Sequence, residues 1–255
     1  MGNSVKEERP YMLGEQRELF VDSALIEETT ARLELQKPVR REASFVFDAP
    51  YEGSGIIYPV VIRDGSRYRM YYIASHLTSE DGKVLYSDTD FYACYLESDD
   101  GISWHRPDLG LFEYHGNCHN NIVLGGKHTD NFTPFIDTRP GCPPEERYKA
   151  FEGYWEKLFA YHSSDAIHWQ RYREEGLDMP GTFDSSNLAF WDEQREQYWA
   201  YIRNFHDYRE DNIISGIRDI RWSTSKDFIH WTEPQQITFS DGDDPPLYVS
   251  NIVQY

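Results

Sequence analysis

The chain has 255 residues, 16% of them aromatic, and carries 25 Lys+Arg against 44 Asp+Glu for a net charge of −19. Such a surface repels phosphate backbones and anionic headgroups, so nucleic acid and membranes are not expected partners. Its Tyr, Phe and Trp content can fill a core, which excludes a disordered chain, and no apolar run approaches the ~18 residues of a membrane-spanning helix.

Residues 1–17 are polar and contain no apolar stretch of the kind a secretory signal needs, so a cytoplasmic location is expected. Cys94, Cys118 and Cys142 are an odd number without metal-ligand spacing, and read as reduced thiols. There is no Gly-rich phosphate loop, nucleophile elbow or paired-Cys motif, so no cofactor and no catalytic metal are expected. One or two extra strands are expected from Glu18-Leu19-Phe20-Val21-Asp22 and Arg32-Leu33-Glu34-Leu35. Together these put an N-terminal extension with closing strands at residues 1–47.

Beyond residue 47 the chain repeats. Ser98-x-Asp100-x-Ile102-x-Trp104, Ser163-x-Asp165-x-Ile167-x-Trp169 and Ser225-x-Asp227-x-Ile229-x-Trp231 share four fixed positions, with tryptophans 65 and 62 residues apart. Upstream of each lies an aromatic, half-alternating segment beginning Tyr68, Tyr148 or Tyr198. Before that comes a short apolar run at Pro59, Pro134 or Asn187, ending in a turn with Asp64, Asp137 or Asp192. The spacing predicts four strands per repeat. The inner apolar strand is followed by the aromatic strand and by a third at residues 92–97, 158–162 or 217–222. The fourth is expected to carry the tryptophan. This is the signature of an all-β propeller of four-stranded antiparallel blades. Blade one is expected at residues 48–115, blade two at 116–180, blade three at 181–240 and the start of a fourth at 241–255, about three and a half blades. A propeller closes to remove its edges, so the chain reads as the N-terminal part of a longer protein, with self-association through open edges as a further expectation.

The succession Glu18-Leu-Phe-Val-Asp22, Pro59-Val-Val-Ile-Arg-Asp-Gly65, Asp130-Asn-Phe-Thr-Pro-Phe135 and Asn187-Leu-Ala-Phe-Trp-Asp192 resembles a group of uncharacterised bacterial proteins. These are similar to the five-bladed propeller glycoside hydrolases of families 32, 43 and 68. The resemblance implies a carbohydrate substrate and a site at the mouth of the central channel, where the inner strands begin. Families 32 and 43 place an Asp before the proline of the first inner strand, an Asp-Pro in the second blade and a Glu in the third. Here those places hold Tyr58-Pro59, Thr133-Pro134 and Ser185-Ser186-Asn187.

Glycoside hydrolysis usually takes two carboxyl groups, one as acid and one as base or nucleophile. One acid lies just upstream of each inner strand: Glu52, Asp130 and Asp184. Propeller symmetry would bring them to one axis, and these are the candidate catalytic residues. Tyr58, Asn131, Asn187 and Arg203 are the candidate substrate-binding residues: an aromatic face for a sugar ring, two amides for hydroxyls, and a guanidinium fork for a carboxylate or hydroxyl. The leading function is a glycosidase acting on an oligo- or polysaccharide. A non-catalytic carbohydrate-binding propeller is the alternative, ahead of a glycoside phosphorylase or a sialidase-like enzyme.

Overall fold

The structure, a computed structural model, describes residues 26, 28, 30, 32, 34–86, 91–126, 129, 131–209, 212, 215–238, 246–249 and 251–252. Chain contacts divide the protein into two units, Met1–Glu42 with Tyr255, and Ala43–Gln254. In the first unit, the expected strand at 18–22 lies outside the described residues. At 32–35, Arg32, Glu34 and Leu35 have no strand structure, and Leu35 is almost fully exposed. Among the described residues no helix is long and apolar enough to cross a membrane, and all three cysteines are free.

The second unit holds three four-stranded antiparallel sheets. The first contains β1 (Gly55–Asp64), β2 (Arg67–Ser75), then, past a small hairpin of β3 (Leu77–Glu80) and β4 (Lys83–Tyr86), β5 (Phe91–Ser98) and β6 (Ile122–Gly126). The second contains β7 (Phe132–Ile136), β8 (Tyr148–Tyr154), β9 (Lys157–Ser163) and β10 (Gln170–Arg171). The third contains β11 (Leu188–Asp192), β12 (Gln197–His206), β13 (Ile217–Ser225) and β14 (Gln235–Gln236). Each sheet runs in chain order from first strand to last, and β1, β7 and β11 lie side by side. These are blades one to three of a propeller, and the chain is all-β.

The outer strands differ from expectation. None contains its tryptophan: Trp104 and Trp169 lie between turn and strand, and Trp231 makes only a single bridge to Ser225. In blade one the outer edge is split. His105 pairs with Glu97, and β6 then completes the same edge by pairing with the beginning of β5. Blade one therefore extends to Gly126, past the expected boundary at 115. All three tryptophans are half-buried.

What recurs with the greatest fidelity is the turn before them. Ser98 Oγ accepts from the backbone N–H of Asp100 (3.2 Å) and Gly101 (2.9 Å), and Asp100 Oδ1 accepts from Ile102 (2.7 Å) and Ser103 (2.6 Å). The same four bonds form around Ser163 and Asp165, and around Ser225 and Asp227. These bonds satisfy backbone donors that leave the ladder. They also hold the fourth motif position in the left-handed region, at φ 73° for Gly101, 70° for Ala166 and 70° for Phe228. Phe228 is fully buried there, stacked on Phe151 of blade two at 5.1 Å between ring centroids. Burying such a ring contributes roughly 1.5–3 kcal/mol.

Two aromatic cores join the blades. One brings Tyr71, Ile73 and Tyr95 of blade one against Phe132, Tyr148 and Ala150 of blade two. The other brings Phe151 and Leu158 of blade two against Ala189, Tyr198 and Ile202 of blade three. A clasp between successive blades recurs beside them. The Tyr148 hydroxyl donates to Asp64 (2.6 Å), and the Tyr198 hydroxyl donates to Asp137 (2.6 Å). The turn acid of one blade thus receives the tyrosine that opens the second strand of the next. Burial opposes ionisation of Asp64, yet hydrogen bonds from Arg147, Tyr148 and Arg69 hold its carboxyl well below the usual carboxylate range.

Candidate functional site

The inner strands β1, β7 and β11 surround a cavity of about 610 Å³, and Val249, Asn251 and Ile252 lie along it on a fourth side. The described residues of the segment expected to begin a fourth repeat have no strand assignment. The wall is mostly apolar, with Val60, Pro134, Leu188 and Phe190 facing inward. Polar groups gather where the inner strands begin.

Tyr58 lines this cavity and breaks β1. The register with β2 slips between Ile57 and Val60, and Tyr58 adopts φ 51°. A non-glycine residue held there costs on the order of 1 kcal/mol or more, so the bulge re-aims this ring toward the axis at an energetic cost.

Asn131 and Asn187 form a latch between blades two and three. Asn131 Nδ2 donates to the carbonyls of Gly153 (2.7 Å) and Phe183 (3.0 Å), while its Oδ1 accepts from Gly153 N–H (3.1 Å). Asn187 Nδ2 donates to Phe183 O and Ser185 O, and Asn187 Oδ1 accepts from Arg203 N–H (2.9 Å). Both amides are completely buried and their donors are committed within the protein. The latch requires Gly153: a Cβ there would lie 2.6 Å from both Asn187 Nδ2 and Phe183 O.

The expected convergence of three acids is not found for Glu52. A 3-10 turn, Pro50–Glu52, rolls its side chain onto the outer face of blade one, where it is 1% exposed. Its carboxylate accepts from the Tyr72 hydroxyl (2.5 Å), the Ala49 N–H (2.8 Å) and both Arg106 Nη2 (2.9 Å) and Nε (3.3 Å). Tyr72 belongs to a core with Ala74, Leu96 and Ile122, covered by Phe45 and Phe47. The turn is fixed by Gly53, where a Cβ would approach Ser75 O to 2.4 Å. Asp130 lies outside the described residues.

Asp184 is different. Its side chain is 29% exposed, and Oδ1 is buried without a hydrogen-bond partner, 3.7 Å from Arg203 Nε. Burial raises its pKa above the usual carboxylate value, against the opposing pull of Arg203 and Arg218. Arg203 is 1% exposed, and its Nη1 donates to the carbonyls of Tyr248 (2.5 Å) and Leu247 (3.3 Å), gripping the entry segment of the fourth repeat. The same segment receives a hydrogen bond from Ser185 Oγ at Tyr248 O. Burial lowers the Arg203 pKa, an effect that neighbouring Arg218 reinforces and Asp184 opposes.

Two residues of this region escape sequence reasoning. Glu152 on β8 is as buried as Glu52 and accepts from Tyr161 (2.6 Å), Thr129 (2.9 Å) and Arg171 Nη2 (3.1 Å). Arg218 stands diagonally from Arg203 on the same face of blade three, because Arg203 pairs with Ile220 and Phe205 with Arg218. Among the described residues no group of three metal-ligating side chains is arranged to hold an ion.

No protein-family model matches the sequence, and no curated protein matches it. Several solved structures are similar to it. One is the fructofuranosidase from Schwanniomyces occidentalis complexed with fructose, at 12% identity over 71% of this chain and 34% of that one, with a TM-score of 0.48. Another is an N-acetylgalactosamine deacetylase from F. plautii in complex with blood group B trisaccharide, at 10% identity, 71% and 51% coverage and a TM-score of 0.46. A third is a glycosyl hydrolase from Bacteroides ovatus, at 14% identity, 72% and 52% coverage and a TM-score of 0.43. The chain spans between 34% and 52% of the length of these three structures. The assignment of the propeller fold rests on strand order and register.

Proposed function

We propose that the protein is a carbohydrate-processing propeller of glycosidase type, with Asp184 as its general acid. One observation carries the reading. Asp184 is the acid upstream of an inner strand whose carboxyl is partly open to solvent, holds a buried oxygen without a partner, and is shifted by burial toward its protonated form. A general acid must hold its proton near working pH, and a carboxyl does so when desolvated. Tyr58 supplies an aromatic face at the cavity, and its strained backbone supports a binding role. Asp130 is proposed as the second carboxylate on its position before β7, the base or nucleophile that hydrolysis requires. Glu52 is proposed to be structural, since its oxygens are occupied by Arg106, Tyr72 and Ala49.

A second reading, a binding propeller without catalysis, is favoured by the same saturation of Glu52, Asn131 and Asn187, which leaves few groups for chemistry. A screen of aryl-glycosides and plant and algal polysaccharides separates the two. Turnover that falls by about 100-fold or more in Asp184→Asn supports the acid role. Turnover unchanged in that variant removes Asp184 from the reaction. Saccharide binding without turnover establishes the second reading.

A further inference from the structure

Blade three holds two arginines, Arg203 and Arg218, that both act on the charge of Asp184. Arg203 Nε and Arg218 Nε are both buried and without hydrogen-bond partners, as is Asp184 Oδ1. Buried polar atoms are normally satisfied; Asp184 Oδ1 and Arg203 Nε form an ion pair at 3.7 Å, which leaves Arg218 as the cation here with no such partner among the described residues. Both guanidinium carbons lie 5.1 Å from the Tyr248 ring centroid, with Phe205 on their other flank at 4.8 Å for Arg203 and 5.7 Å for Arg218. Ring faces fix guanidinium planes while leaving their N–H edges to hydrogen-bond.

The charge balance is unusual for this protein. Two cations face one carboxyl in a chain whose net charge is −19. Arg171 and Arg106, by contrast, each meet a buried glutamate at 3.1 and 2.9 Å. Among the described residues, Arg218 makes no ion pair. Arg218 is half-buried, whereas Arg203 is 1% exposed.

We propose that Arg218, with the buried Arg203 adding positive charge beside it, forms a subsite for the carboxylate of an acidic sugar, so that the substrate class is uronate-containing oligosaccharides. The inference rests on the carbohydrate reading above and narrows it. A carboxylate would take the outer edge donors of the Arg218 guanidinium, as a planar fork favours, since the Arg203 donors face Leu247, Tyr248 and Asp184. Tyr58 lines the cavity that the inner strands surround.

The test is calorimetric titration of the 255-residue protein at low ionic strength. The probes are galacturonate and glucuronate oligomers, their neutral galactose and glucose counterparts of equal length, and inorganic phosphate. The acidic oligomers should bind about tenfold tighter than the neutral ones, the scale of one charge-assisted pair. Arg218→Gln should abolish that preference, and Arg218→Lys should recover part of it, with thermal unfolding confirming that both variants are folded. Equal binding of acidic and neutral oligomers overturns the subsite and leaves the carbohydrate reading standing. Binding of neither overturns the carbohydrate reading itself, and the subsite with it. Phosphate binding that needs Arg218 without uronate preference overturns the acidic-sugar assignment in favour of a phosphate site. Concentration-dependent association lost in Arg218→Gln overturns it in favour of a protein carboxylate.

Discussion

Glu52 and Glu152, on one side, and Asp184, on the other, are acids buried in the same propeller with opposite fates. Glu52 and Glu152 are each 1% exposed, and every contact they make is internal: an arginine, a tyrosine hydroxyl, and a third donor. Asp184 is more exposed, forms a long ion pair with Arg203 at 3.7 Å, and has an oxygen, Oδ1, without a hydrogen bond. A charge inside a protein is tolerable when paired and hydrogen-bonded, and costly when it is not. The satisfied pair therefore reads as architecture. Asp184 is a cost that persists in the folded state, and such costs concentrate where ligands bind.

The largest expected effect comes from breaking the satisfied side. Glu152→Ala strips Tyr161, Thr129 and Arg171 of their acceptor and leaves Arg171 with only the exposed Glu174, at 3.9 Å, as an ion-pair partner. Removing one partner of a buried ion pair costs about 3–5 kcal/mol, and the partly exposed arginine reduces this to roughly 2–4 kcal/mol. The urea midpoint should fall accordingly. A loss under about 1 kcal/mol would place Glu152 with Asp184 rather than with Glu52.

A smaller effect is expected beneath the mouth itself. Gly153→Ala drives a Cβ to 2.6 Å from Phe183 O, so the backbone of blade three must shift. Overpacking of this kind costs roughly 1–3 kcal/mol. It should also weaken saccharide binding, because Asn187 connects the crowded point to the Arg203 backbone. Loss of stability with binding intact would separate the latch from the site.

The turns and most strands were legible because their causes are local. Ser98, Asp100 and their counterparts bond to backbone groups within three residues, so a short motif encodes the whole device. The aromatic second strands and the third strands followed from the same spacing. The outer strand of blade one was not legible, since β6 reaches its place only by pairing with β5 after a long excursion. Nor was the position of Glu52. Counting residues to the inner strand ignores the 3-10 turn that rotates its side chain outward to Arg106, 54 positions away in the chain. Asp184 and Arg203 were identifiable as an acid and a cation flanking one inner strand. Arg218 joins them only through the register of β12 with β13, which pairs Phe205 with Arg218, and nothing local in the sequence announces that pairing.

The most direct measurement compares wild type and Asp184→Asn by urea unfolding at neutral pH and at a pH below the ordinary Asp pKa of about 3.9. Burial raises the Asp184 pKa in the folded protein, so the folded state takes up this proton more readily than the unfolded chain. Ionised Asp184 therefore lowers stability above the folded pKa, and this penalty vanishes as pH falls below the unfolded value. Asp184→Asn should be as stable as wild type or more stable at neutral pH, should lose that advantage in acid, and should be defective in turnover or binding. A neutral-pH destabilisation of more than about 1 kcal/mol, comparable with that of a satisfied glutamate, would contradict the division between architectural and functional acids.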